Sequence, residues 1–304
     1  MRDELCRELL GRSGDERMVF LTGDLGFMAL EPLRDAMGSR FINCGVAEQN
    51  MVSVAAALVY EGLEAWTYTI APFCYARAFE QIRNDVCLHG LAVKLLANGG
   101  GYAYGVMGPT HHALEDYGIL LTLPNMTAFV PAFTEDISQT LERAGDLSGP
   151  AYIRLGRGEK PEGEVVPAYA PWRRLLDGGA GVMIAVGPLA GSAWGVLRQF
   201  DPASRPALWA VSELPIEANP PPLELTDALS RTRRLAVVEE HVAHGGVGQA
   251  MCRWVVEAGI GLDRFRHLHA SAQPGLTYGS QAFLRRRSSL DPEGIALAAK
   301  TLAS

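Results

Sequence analysis

Gly45-Val46-Ala47-Glu48-Gln49-Asn50 sits where an apolar run ends and a stretch rich in small residues, including Ala55, Ala56 and Ala57, begins. Upstream, residues 41–46 read as a strand. Downstream, residues 47–61 place apolar side chains three and four positions apart, the period of a helix with one buried face. The alternation continues in both directions. Apolar, β-branched runs at 18–25, 65–70, 93–97, 126–130 and 151–155 read as further strands, and residues 73–88 as a second clear helix. Strands alternating with helices predict a mostly parallel sheet covered on both faces, an α/β domain.

Residues 158–174 exchange this pattern for Gly, Pro, Glu and Lys, the composition of a linker. The expected organisation is a first domain at 1–157 and a smaller second domain at 175–304, both built on open, mostly parallel sheets. Candidate strands of the second domain lie at 181–186, 207–211, 235–239 and 265–268.

With 304 residues, 48% of them hydrophobic and 20% charged, the chain can bury two ordinary cores. A formal charge of −7 provides no basic face for nucleic acid, and Arg285-Arg286-Arg287 reads as a solvated helix end. No apolar run reaches membrane-spanning length and the amino terminus lacks a signal-peptide pattern, so a cytoplasmic location is expected. The five cysteines are odd in number and widely spaced, which predicts reduced thiols and no zinc site.

Several residues could carry chemistry. Glu48 falls in a first helical turn, where a carboxylate complements the helix dipole, and also at the carboxyl end of a strand, where open parallel sheets bind ligands. Gly23-Asp24-Leu25-Gly26 is a turn after the first strand. His111 and His112 lie in a loop between Gly108-Pro109 and a helix starting near Ala113, and imidazoles are suited to proton exchange near neutral pH. Gly99-Gly100-Gly101 allows either close approach of backbone to a ligand or a flexible turn.

The core Gly45-Val46-Ala47-Glu48-Gln49 is followed by Thr69-Ile70-Ala71-Pro72-Phe73 and by Arg77-Ala78-Phe79-Glu80-Gln81-Ile82-Arg83-Asn84. Then come Gly108-Pro109-Thr110-His111, Leu123-Pro124-Asn125-Met126 and Tyr152-Ile153-Arg154-Leu155-Gly156-Arg157-Gly158. Together these motifs resemble the pyrimidine-binding domain of transketolases and 1-deoxyxylulose-5-phosphate synthases, over nearly all of the first domain. The resemblance implies an enzyme dependent on thiamine diphosphate (ThDP). It makes Glu48 the glutamate that bonds N1′ of the cofactor's aminopyrimidine and favours its imino form, whose exocyclic nitrogen removes the thiazolium proton. It makes Phe73 the aromatic stacked on that ring, and places Ile70, Asp24 and Leu25 around it. It further implies contact of His111, His112 and Arg154 with substrate, His111 also serving catalysis. Val238-Glu239-Glu240-His241, Gly245-Gly246-Val247-Gly248 and Tyr278-Gly279-Ser280-Gln281 resemble the transketolase carboxy-terminal domain, which mainly supports subunit association.

Two departures matter. Where transketolase carries a His and an Asp that read sugar hydroxyls, this chain has Gly99 and Met107, which puts the ordinary sugar phosphates in doubt. The G-D-G motif that holds Mg²⁺ and the cofactor diphosphate is also absent, Gly23-Asp24-Leu25 already matching the pyrimidine domain. The resemblance therefore implies a separate partner subunit carrying that motif and its Mg²⁺, in a heterotetramer with ThDP at the interface. The expected activity is transfer of a two-carbon ketol unit between small sugar molecules. The alternatives are pyruvate-decarboxylating ligation to a specialised sugar or metabolite, and a non-catalytic regulatory subunit.

Overall fold

The computed structural model describes residues 1–271 and 277–304. Among these residues, twelve strands form two sheets. In chain order they are β1 (Met18–Thr22), β2 (Phe41–Asn43), β3 (Glu64–Ile70), β4 (Lys94–Asn98), β5 (Thr127–Phe129), β6 (Ala151–Leu155), β7 (Trp172–Leu176), β8 (Val182–Val186), β9 (Ala207–Val211), β10 (Glu213–Leu214), β11 (Arg234–Val238) and β12 (Arg264–Leu268). The seven-stranded sheet has the order β10-β5-β6-β4-β3-β1-β2 and is parallel except for β10. The five-stranded sheet, β12-β11-β8-β9-β7, is parallel except for β7.

The parallel order follows from the connections, because a strand returning in the same direction needs a crossover long enough for a helix. The helix Glu48–Tyr60 buries Met51, Val52, Ala55 and Ala56 on one face of the first sheet. Leu5 and Leu9 of Arg2–Arg12, with Ile137 and Leu141 of Ile137–Asp146, cover the other. Buried on both sides, β1, β4 and β6 are nearly continuous apolar runs rather than alternating ones. The second sheet is covered in the same manner, by Met251 and Val255 on one face and Leu189, Leu197, Ile295 and Leu302 on the other. Among the described residues no helix is long and apolar enough to cross a membrane.

Three details differ from the sequence reading. The stretch 73–88 is not one regular α-helix: Phe73–Arg77 and Ile82–Cys87 are wide π-helical turns around a short α-turn, Phe79–Gln81. Apolar spacing does not separate the two, because both bury a single stripe. Strand β7 begins inside the expected linker. Its Arg173 masks a buried position, where the guanidinium meets Asp136 at 2.6 and 2.8 Å. Strand β10, only two residues long, leaves the second unit to pair with β5 of the first.

The two units are joined by buried polar contacts. Glu239, following β11, accepts hydrogen bonds from the Tyr117 hydroxyl of the first unit, from the backbone N–H groups of Val247 and Gly248, and from His267. His241 stacks on Tyr117 with ring centroids 3.9 Å apart. Burial alone would push the Glu239 carboxyl up. The His267 hydrogen bond, the neighbouring His241 and His267 and the Tyr117 hydroxyl outweigh it, and the net shift is downward from 4.5. A depressed folded-state pKa contributes stability that is fully present above the unfolded value and is lost as pH falls through the folded one. Thermal melts from pH 7 to pH 3 should therefore show a steep acid limb in the wild type and a shallower one, from a lower neutral-pH plateau, in Glu239→Gln. Parallel acid limbs would contradict this assignment.

Candidate active site

At the carboxyl edge of the first sheet, Glu48 is the first residue of its helix and only 1% exposed. Its two oxygens are separately engaged. The Thr69 hydroxyl, from β3, donates to Oε1 at 3.2 Å, and the Arg77 guanidinium donates to Oε2 at 2.9 Å. Gly23, following β1, closes the third side: a Cβ there would stand 3.4 Å from Glu48 Oε1 and 3.3 Å from Thr69 Oγ1.

The same guanidinium lies over the Phe73 ring, 4.0 Å from its centroid. Phe73 in turn meets the His111 ring edge-on at 5.2 Å, and His111 Nδ1 is bonded to Thr110 Oγ1 at 3.0 Å. Glu48, Arg77, Phe73 and His111 thus form one continuous surface. It is fed by the ends of β1 and β3, the turn 73–77 and the loop 108–112. A buried carboxylate beside an aromatic face suits a flat, nitrogen-rich ring.

The remaining expected residues are placed less uniformly. Within the Gly23-Asp24-Leu25 turn it is Gly23 whose backbone lies next to Glu48. Asp24, at φ +58°, accepts from Asn43 Nδ2 at 2.8 Å, and Leu25 lines a cavity of about 360 Å³ with Phe27, Arg34 and Phe41. Ile70 ends β3 in register with Asn98. His112 diverges from His111 and packs edge-on against Tyr102 at 5.3 Å; burial lowers its pKa, and its Nε2 is buried with no hydrogen-bond partner among the described residues.

Arg154, expected to meet substrate, is buried between the two units. Only 3% exposed, it donates to Asp116 Oδ2 at 2.7 Å and to the carbonyls of Ala113 and Glu240 at 2.8 Å. A Cβ at Gly100 would stand 2.5 Å from Arg154 Cγ, so the glycine loop passes directly over this side chain. The Gly101 position is similarly crowded by Glu240 of the second unit, 2.7 Å from a would-be Cβ. Arg154 and Glu240 together hold the loop that leads to His111.

Three participants have no role in the sequence reading. Thr69 and Arg77 stand within the family-like motifs, but their bonds to Glu48 depend on tertiary geometry. Tyr104 is the third. Its ring fills the space above Gly99, where a Cβ would lie 2.1 Å away, and its hydroxyl accepts from Asn98 Nδ2 at 2.7 Å. The space over Gly99 is therefore occupied by a tyrosine ring. Tyr104 and Gly99 line a cavity of about 430 Å³ with Arg2 and Arg157.

The family described as transketolase, pyrimidine binding domain, matches residues 8–162. An apulose-4-phosphate transketolase subunit of Actinobacillus succinogenes is 30% identical over 277 residues, covering 88% of this chain and 86% of the relative. 1-Deoxy-D-xylulose-5-phosphate synthase 2 of Geobacter sulfurreducens is 32% identical over 95% of this chain, which spans only 47% of that enzyme. Among solved structures, a split gene transketolase described as an inactive β4 tetramer superimposes with a TM-score of 0.82 at 27% identity, covering all of this chain and 98% of the other.

The buried geometry of Arg154 yields a test. Arg154→Met leaves Asp116 as an unpaired buried charge and should lower the unfolding free energy by about 3–5 kcal/mol in a urea titration. A variant of unchanged stability with only a raised KM would restore Arg154 to the substrate-binding set.

Proposed function

We propose, given that this chain belongs to the transketolase family, that Glu48 and Phe73 form the seat for the aminopyrimidine ring of thiamine diphosphate and that a partner subunit completes the site. The chain is a transketolase-type subunit of a ThDP-dependent enzyme. The observation that carries the assignment of the seat is the planar cation already lodged there. A guanidinium bonded to Glu48 and lying on Phe73 fills the space between carboxylate and ring, which supports a flat, nitrogen-rich occupant.

When bound, the cofactor supplies an acidic thiazolium carbon and an electron sink for the two-carbon unit. This chain's residues bind and orient. Thr69 holds Oε1, which leaves Oε2 as the oxygen that would share a proton with a ring nitrogen of the bound cofactor. Phe73 supplies a stacking face that contributes on the order of 1 kcal/mol beyond burial. His111 stands edge-on to that face, and because Thr110 engages Nδ1, proton exchange with a substrate hydroxyl falls to Nε2.

Mg²⁺ and the diphosphate belong, in this reading, to a second chain carrying a G-D-G motif, in a heterotetramer. Nearly end-to-end similarity to a protein that is itself named as one subunit of a transketolase supports it. The substrate class is a ketose donor with an aldose-type acceptor, phosphorylated sugars of the apulose type being the first to try. Gly99 and Met107, which offer no side-chain hydrogen bond, together with the similarity to a deoxyxylulose-phosphate synthase, support a second reading in which pyruvate is the donor.

Mixing the chain with its partner, ThDP and Mg²⁺ separates these readings. Turnover of ketose donors that needs both chains is expected. Turnover of pyruvate alone would select the second reading, and tight ThDP binding by this chain in isolation would contradict the shared site.

A further inference from the structure

Arg77 makes the two contacts that the proposed seat reserves for the cofactor ring. Its Nη1 lies 2.9 Å from Glu48 Oε2, and its guanidinium carbon lies 4.0 Å from the Phe73 centroid, at stacking distance. A second flat group cannot share both the same ring face and the same oxygen, so guanidinium and aminopyrimidine exclude one another. We propose that Arg77 is a built-in placeholder, occupying the pyrimidine seat in the cofactor-free chain and swinging out when ThDP enters. This rests on the reading of Glu48 and Phe73 as that seat.

A physical need accounts for such a device. Glu48 is 1% exposed, and a buried carboxylate without a cationic or hydrogen-bonding partner is costly. Thr69 supplies one neutral donor, which leaves the second oxygen to be satisfied. Arg77 satisfies it until the cofactor does. The side chain is suited to leaving, since 45% of its surface is exposed while Glu48 is enclosed. Its exit returns a charged group to water rather than burying one. It springs from the end of the π-helical turn Phe73–Arg77, so the aromatic face and its occupant belong to one short segment. The placeholder stabilises the chain while the cofactor is absent and weakens cofactor binding by the strength of the contacts it must surrender.

Titration of the reconstituted two-subunit complex with ThDP at fixed Mg²⁺, followed by calorimetry, tests this. Arg77→Ala should bind ThDP about two- to thirtyfold more tightly, the range a cation–π contact of this kind represents. Arg77→Met, which keeps the aliphatic stem, should do the same if Arg77→Ala folds poorly. The cofactor-free complex carrying Arg77→Ala should also melt earlier than the wild-type complex, a difference that closes once ThDP is bound. Unchanged or weaker ThDP binding in Arg77→Met, with binding still impaired in Phe73→Ala, would overturn the placeholder and leave the seat intact. Unimpaired binding in both Phe73→Ala and Glu48→Gln would remove the seat, and the placeholder with it.

Discussion

A carboxylate buried at the carboxyl edge of a parallel sheet has to be compensated at every oxygen, and the arrangement around Glu48 follows from that demand. Placement in the first turn gives it the positive end of the helix Glu48–Tyr60. Thr69 on the neighbouring strand takes one oxygen and Arg77 the other. Gly23 approaches because any side chain there would press on the pair. Each of these residues arrives from a different element, and the parallel order β3-β1-β2 brings their ends together at one edge. The sheet topology is therefore what makes a buried, bonded and addressable carboxylate possible at this point.

The second unit acts on the site indirectly. Glu240 receives Tyr102 N–H, Gln281 and Arg285, while its carbonyl accepts from Arg154. The loop 99–112 is thereby clamped between the units at its glycine-rich start, and its far end presents His111 to Phe73. Glu239 performs the same joining function one residue earlier, tying Tyr117 to the start of the helix Val247–Glu257. The adjacent carboxylates after β11 thus fasten both the loop and the helix that follows it. Among the described residues the second unit adds none to the Glu48 surface, yet its Glu240 holds the loop that borders that surface.

Much of this is legible in the sequence, for identifiable reasons. Strands buried on both faces are apolar throughout, so most of the central strands can be read to within a few residues. Glu48 and Phe73 stand in family-like motifs, and in the fold one guanidinium, that of Arg77, meets both. The burial of Arg154 is not legible, because an arginine near a strand end gives no sign in one dimension of whether it faces solvent or a buried aspartate. β7 is hidden by arginines that the structure pairs or exposes, and β10 is too short to carry a pattern. Arg77 and Tyr104 act through contacts set by a π-helical turn and by a ring folding back over Gly99, neither of which has a periodicity.

Glu48 is proposed to activate the cofactor across a shared interface. The most direct measurement of this is the rate of hydrogen–deuterium exchange at the thiazolium C2 position of ThDP bound to the reconstituted complex, comparing wild type with Glu48→Gln. The account predicts a loss of about a hundredfold to ten-thousandfold, the range of a general acid–base contribution, with the cofactor still bound. An exchange rate unchanged by the substitution would contradict it.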